Sequence, residues 1–303
     1  MSVADYVIQV TSSDAYTPIH SALLDLVISL RTISSKSLHD YLEKAIRTLY
    51  ADQNGVPVDV IDDINVTSTQ FKSVLAKINS KLDPLDFEIV ESKDMDDSSV
   101  TLFSFVNKKA NGAILLSTKY TDNEIQYIKH IIDRIFASEH VLANSTPEIQ
   151  VITYSVPLMR MIKFLRDGPT EPKTEEQTPE GDGDDGETSV VAPIIRLSLE
   201  ESEEFLKDLE YSGWLERYNN NYTLSTRGLV ELRKYLIETY GVFPNGTIST
   251  CFGCGDILTR GLSCPNSKCH VRFHDYCKGL VARSRNIDSC PGCNNKLELF
   301  DSF

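Results

Sequence analysis

The first 250 residues contain no cysteine, which removes thiol nucleophiles and disulfide frameworks from most of the chain. Long apolar runs are missing too. Nothing approaches the roughly 20 uninterrupted apolar residues of a membrane helix, and the best early stretch, Ser21 to Leu30, is broken by Asp25. There is no charged-then-apolar leader with a cleavage site. The expectation is a soluble intracellular protein in a reducing compartment, where thiolates bind metal instead of oxidising. Positive charge is scarce: 30 Lys and Arg stand against 44 Asp and Glu, a net charge of −14. That balance argues against a surface coated for nucleic acid. Half of the excess sits between Gly168 and Pro193, where eight acidic side chains face one lysine. Any nucleic-acid contact therefore has to come from a local patch or through a partner, and no strong basic localisation cluster is visible.

A chain of 303 residues is too long for one ordinary core and suggests two or three domains, and the 41% apolar content supports globular cores. Helical spacing appears in Leu23, Leu24, Val27, Ile28 and Leu30, then in Leu38, Leu42, Ile46 and Leu49 behind a cap at Ser34 or Ser35, and again in Phe71, Val74, Leu75, Ile78 and Leu82. Phe87 to Val90 and Val100 to Phe105 read as strands joined by the polar loop Ser92 to Ser99. Three helices followed by a hairpin is the order of a winged helix; the alternative is some other small α+β domain. Ten Lys and Arg against sixteen Asp and Glu in residues 1–110, with only Lys72, Lys77 and Lys81 along the third helix, favour protein docking over DNA binding.

A second unit opens at Thr121, which has capping-box spacing to Glu124 ahead of Ile125, Ile128, Ile131, Ile132 and Ile135. A further helical pattern runs from Tyr154 to Leu165. The acidic stretch 168–193 then reads as a disordered insertion, rich in Pro, Gly, Glu, Asp and Thr with no apolar period. Order resumes near Ile194. Ser198 and Glu201 again have capping-box spacing, Gly213 can end that helix, and Trp214 to Ser225 reads as a tight hairpin turning at Asn219 to Asn221. A helix from Thr226 to Tyr240 follows. The short turn leaves little wing to grip a DNA groove.

All seven cysteines lie beyond residue 250, in the order Cys251, Cys254, Cys264, Cys269, His274, Cys277, Cys290, Cys293. These are enough ligands for two tetrahedral zinc ions. Cys251/Cys254, His274/Cys277 and Cys290/Cys293 are short chelating pairs, and Cys264/Cys269 is a wider one. Two sequential sites or an interlocked cross-brace are both open to such pairs. One histidine in fifth place among seven cysteines is the pattern of variant RING and related fingers, and it favours the cross-brace. Site one would be Cys251, Cys254, His274 and Cys277; site two would be Cys264, Cys269, Cys290 and Cys293. Both would be full, so the two zinc ions would be structural, with no catalytic residue among the ligands. His270 is the rival to His274 but would need a wider gap to Cys277. His20, His39, His130 and His140 are scattered and read as surface or core residues.

The Phe105-Val106-Asn107 and Asn123-Glu124 run, the block from Gly213-Trp214-Leu215-Glu216 through Tyr222-Thr223-Leu224 to Gly228, and the cysteine module together resemble the non-structural maintenance of chromosomes element 1 family. The resemblance implies an α+β chain with tandem winged-helix domains followed by a two-zinc cross-brace RING-like domain. The corresponding divisions are 1–110, 111–245 with the insertion 168–193, and 246–303. It also implies a nuclear location in a chromosome-maintenance complex, a MAGE-like and a kleisin partner, and partner-activated ubiquitin ligase activity in DNA repair and recombination. By the same resemblance Ile257, Leu258, Leu280 and Pro291 would face a ubiquitin-conjugating enzyme. Two departures count against strong intrinsic activity: Gly253 stands where RING fingers usually carry an aliphatic residue, and Asn294, Asn295 and Lys296 follow the last cysteine where many carry arginine. The alternatives are a scaffold whose zinc module only stabilises an interface, and a PHD-type histone reader, which Asp288 disfavours because it stands where an aromatic is usual.

Overall fold

The computed structural model describes residues 2–12, 15–61, 64–95, 97, 99–109, 119–137, 139–145, 149–168, 196–285 and 289–297, the side chains of 280, 281, 284 and 285 excepted. The acidic stretch expected as an insertion lies outside the described residues except for Gly168, as does Asp288.

The first unit is built from α2 (Pro18–Leu30), β1 (Thr32–Ser34), α3 (Ser35–Asn54), α4 (Ser68–Leu82), β2 (Phe87–Lys93) and β3 (Thr101–Asn107). Local chemistry sets the ends. The Ser34 side chain accepts the Ser37 amide, Thr67 and Gln70 form a reciprocal capping box, and Gly55 closes α3 in the left-handed region at φ 64°. The three strands pair antiparallel in the order β1-β3-β2, with Ile33 opposite Phe103 and Ile89 opposite Phe105. Helix α1 (Val3–Ser12), which the sequence reading left out, buries Tyr6, Val7 and Val10 against α3 and α4. Its apolar residues do recur at helical spacing, but over too short a run to stand out.

The second unit repeats the plan with α5 (Asp122–Phe136), β6 (Val156–Pro157), α6 (Leu158–Asp167), α7 (Leu199–Tyr211), β7 (Leu215–Tyr218) and β8 (Asn221–Leu224). Its strand order is β6-β8-β7, the same first-third-second arrangement as in the first unit. Both expected capping boxes form, Thr121 with Glu124 and Ser198 with Glu201. The hairpin turns on Asn219 and Asn220 at φ 47° and 63°, a left-handed pair that suits the strand twist. Two expectations shift. The pattern from Tyr154 becomes helical only at Leu158, because Val156 pairs with Tyr222 and Pro157, extended at ψ 137°, sets the helix start. The helix from Thr226 breaks at Leu232 into α8 (Thr226–Glu231) and α9 (Arg233–Tyr240); Leu229, Leu232 and Leu236 stay buried in one cluster while Arg233 turns to the Cys251–Asp256 loop.

The third sheet joins distant parts of the chain. Strands β4 (His140–Val141) and β5 (Gln150–Thr153) pair with β9 (Arg260–Ser263) and β10 (Arg272–Phe273) in the order β10-β9-β5-β4. Ile152 lies opposite Gly261. A side chain at Gly261 would collide with the Phe273 carbonyl, so the close strand approach requires glycine there. Helix α10 (Asp275–Arg285) follows β10. Among the described residues no helix is long and apolar enough to cross a membrane.

Candidate metal centre

The cysteine module contains two copies of one local turn. In the first, the Cys251 amide donates to Asp256 O at 2.8 Å and the Gly255 amide to Cys251 O at 2.8 Å, with Gly255 at φ 78°. In the second, the Cys290 amide donates to Asn295 O at 2.7 Å and the Asn294 amide to Cys290 O at 2.8 Å, with Asn294 at φ 59°. Glycine and asparagine are the residues that tolerate this left-handed position. Each turn presents two sulfurs to one side, Cys251 with Cys254 and Cys290 with Cys293. The other two pairs stand at the ends of the β9–β10 hairpin: Cys264 and Cys269 follow β9, and His274 and Cys277 lie between β10 and the first turn of α10.

The structure groups the ligand atoms of Cys251, Cys254, His274 and Cys277 within 4.8 Å of one another, and likewise those of Cys264, Cys269, Cys290 and Cys293. First pairs with third and second with fourth, so the two groups interlock. Cys254 Sγ stands 3.3 Å from His274 Nδ1, Cys264 Sγ 3.5 Å from Cys293 Sγ, and Cys269 Sγ 3.4 Å from Cys290 Sγ. A tetrahedral zinc with Zn–S of about 2.3 Å needs donor separations near 3.8 Å, so both sets fit the ion in donor type, number and spacing. The Gly253 and His274 amides point at Cys251 Sγ, both at 3.3 Å. Hydrogen bonds from the Cys254 and Cys277 thiols hold the Cys251 thiol far below the usual range, and the same contacts push Cys277 far up. One thiolate is therefore stabilised at the expense of its neighbours, a crowding that a divalent cation relieves. In the second group backbone donation from Asn295 lowers Cys293 to about 7.

His270 is exposed, its ring 4.7 Å from that of Phe243, and takes no part in either group. His39, Asp40 and Glu43 also lie close together, but His39 Nε2 is 2.7 Å from Val66 O and Glu43 accepts the Val66 amide at 2.9 Å. Those contacts tie α3 to the segment before α4. His20 is buried, its Nδ1 facing the Thr17 hydroxyl at 2.8 Å. His130 lies 3.3 Å from Asp133, and His140 belongs to β4.

The residues expected to face a conjugating enzyme divide. Ile257 and Leu258 are a correction: they are 2% and 0% exposed and present nothing to an incoming protein. Ile257 joins the core of the second unit and Leu258 that of the zinc module. Pro291 is half-buried, Leu280 lies in α10 with its side chain outside the described residues, and Gly253 is exposed. The apolar side chain that does stand out on the first loop is Phe252, 39% exposed and edge-on to Phe273. The sequence reading missed it, although an aromatic between two ligand cysteines is a visible signal.

Polar contacts fasten the module to the second unit beyond the shared sheet. Arg272 pairs with Glu139 at 2.8 Å, Arg260 pairs with Glu216 at 2.5 Å while covering the Tyr218 ring, and Arg233 reaches Asp256 at 3.0 Å. Tyr154 bridges Glu139 at 3.1 Å and Ser249 at 2.7 Å; burial pushes its phenol up to about 12.

With this geometry in hand, the likenesses to known proteins are consistent with one another. Residues 20–232 match the family described as Nse1 non-SMC component of SMC5-6 complex, and residues 251–293 match a RING-like domain. The chain is 23% identical over 235 residues to the non-structural maintenance of chromosomes element 1 homolog of Homo sapiens, covering 78% of this chain and 72% of that protein. It is 23% identical over 248 residues to non-structural maintenance of chromosomes element 1 of Schizosaccharomyces pombe, covering 82% and 85%. A chain of a solved Nse1-Nse3-Nse4 complex superposes with a TM-score of 0.63 at 18% identity, covering 94% of this chain and 98% of that one, a likeness of fold.

Proposed function

Because the chain belongs to the family of Nse1 non-SMC components of the SMC5-6 complex, we propose that it is the RING-like subunit of such a complex, acting in the nucleus in DNA repair and recombination. Its partners by this reading are an Nse3-type, MAGE-like subunit and an Nse4-type kleisin, in keeping with the assembly named for its structural neighbour. The tandem winged helices would dock them. Two structural zinc ions would be held, one by Cys251, Cys254, His274 and Cys277 and the other by Cys264, Cys269, Cys290 and Cys293. Zinc supplies binding energy that fixes the loops. The carrying observation is the pair of closed four-donor groups in a module whose sheet is continuous with strands from between α5 and β6.

The activity proposed is ubiquitin ligation by positioning: a charged conjugating enzyme and an acceptor lysine are held together, with no covalent intermediate on this chain. Its thiols are all assigned to metal. Phe252 and Pro291 remain available on the two ligand turns as the contact, and a partner would complete the surface. The burial of Ile257 and Leu258 favours a second reading, a scaffold whose zinc module only stiffens an interface. A discharge assay separates them. Charged conjugating enzymes are incubated with the chain alone and with its MAGE-like partner; faster thioester loss with the partner is expected, and no acceleration in any combination leaves the scaffold. DNA contact through this subunit would be weak or indirect.

A further inference from the structure

The first winged-helix unit, α8 and the zinc module meet around a cleft of about 70 Å³. Ser92, Met95, Thr226, Ile257 and His274 are in its wall. Three of these residues each carry a buried polar atom, Ser92 Oγ, Thr226 Oγ1 and His274 Nε2, with no hydrogen-bond partner among the described residues. Thr226 is 6% and His274 2% exposed, so bulk solvent does not satisfy them. Cys254 Sγ faces His274 Nδ1 at 3.3 Å, which places Nδ1 on the metal side and leaves the proton on Nε2. A metal-bound imidazole ordinarily donates that second N–H to a carboxylate, a carbonyl or a water. A hydroxyl both donates and accepts, and a water needs about 10–15 Å³ of such space. The cleft holds room for several.

We propose that an ordered water in this cleft accepts the His274 Nε2 proton and donates to Ser92 Oγ and Thr226 Oγ1, making these two hydroxyls positioning groups for the mixed sulfur–nitrogen metal site. The hairpin of the first winged helix thereby becomes part of the support of a ligand in the last domain. Movement of that hairpin, by a partner or by mutation, is then felt at His274. This inference rests on the zinc reading above.

The test uses the full chain, with zinc counted first: fewer than two ions in the wild type overturns the metal reading itself, before any variant is made. In the cadmium-loaded protein the mixed and the four-sulfur sites give separate cadmium resonances, so release to a chelator is followed site by site. S92A/T226V is expected to lose metal from the mixed site about tenfold faster, the low end for lost outer partners, with the four-sulfur site unchanged; T226S alone, which keeps the hydroxyl, stays near wild type. Equal rates in variant and wild type, or equal acceleration at both sites, overturn the proposal. Should the double variant not fold, the wild-type protein decides: magnetisation transfer from a long-lived water to the His274 Nε2 proton supports it, and none overturns it.

Discussion

The first winged-helix unit and the zinc module are held together by different means. In the first unit Leu23, Val27, Leu38, Leu42, Ile46, Phe71 and Ile78 pack with Phe103 and Phe105 into a core of hydrocarbon and aromatic side chains. In the module the corresponding cluster mixes Leu258, Leu262 and Phe273 with Cys251, Cys264, Cys269, Cys277 and Cys290, and takes Ile149 and Ile152 from upstream. One is a solvent-driven core that closes on itself; the other is small, borrows a strand from upstream, and on the zinc reading proposed above would need metal–ligand bonds to complete it. The lesson is that burial alone does not measure self-sufficiency: Cys251, Cys264, Cys269, Cys277 and Cys290 are as buried as Leu38 and Leu42 of the first unit, but thiols clustered in this way would stabilise the module only with an ion bound.

Stripping the metal gives the largest expected effect. Structural zinc contributes on the order of 10 kcal/mol per site, so chelation or C277S should abolish the module's protection from trypsin while the first unit's thermal transition stays in place. A module that remains protected without metal would break the contrast. Next, L42A, a truncation at a fully buried site, should destabilise the first unit by about 2–5 kcal/mol and leave zinc content at two. Third, E139Q removes a charge from the half-buried pair with Arg272 and should weaken attachment of the module by about 1–3 kcal/mol, read as faster hydrogen exchange in β5 and β9 and not in β1 to β3.

The smallest effect is a pH dependence. Burial, with Lys77 nearby, holds the His20 pKa below its ordinary 6.5. The unfolded chain therefore takes up the proton first, and the first unit should lose stability as pH falls below 6.5. Thermal melts across that window on H20Q, which is expected to flatten the slope, check it. On the zinc reading, metal release from the module on acidification would be a separate transition. The division into 1–110, 111–245 and 246–303 is a further proposal about what folds alone. A fragment of residues 246–303 lacks β5, and adding residues 139–154 in trans should raise its protection.

Much of this was legible because it is local. Capping boxes at Thr121/Glu124 and Ser198/Glu201 announce helices within four residues, the Asn219–Asn220 turn announces its hairpin, and ligand spacing announces a metal module. What stayed hidden depends on partners far along the chain. Gln150 to Thr153 is a strand because Arg260 to Ser263 lies beside it. The burial of Ile257 comes from its place in one cluster with Leu236 and Leu232 of the second unit, and the residues beside Ile257 in the chain do not carry that information. Helix α1 was missed for brevity, and the break at Leu232 because apolar spacing continues through it.

Strand β5 has one more consequence, for synthesis. Gln150 and Ser263, paired in the finished sheet, are 113 positions apart. On the ribosome the β4–β5 hairpin emerges long before its neighbour is translated, and until then its backbone donors and acceptors form an open edge of the kind that recruits foreign strands. If the module takes zinc as proposed, scarcity of zinc lengthens that interval, so metal starvation should show itself as aggregated nascent chain well before it shows as inactive finished protein.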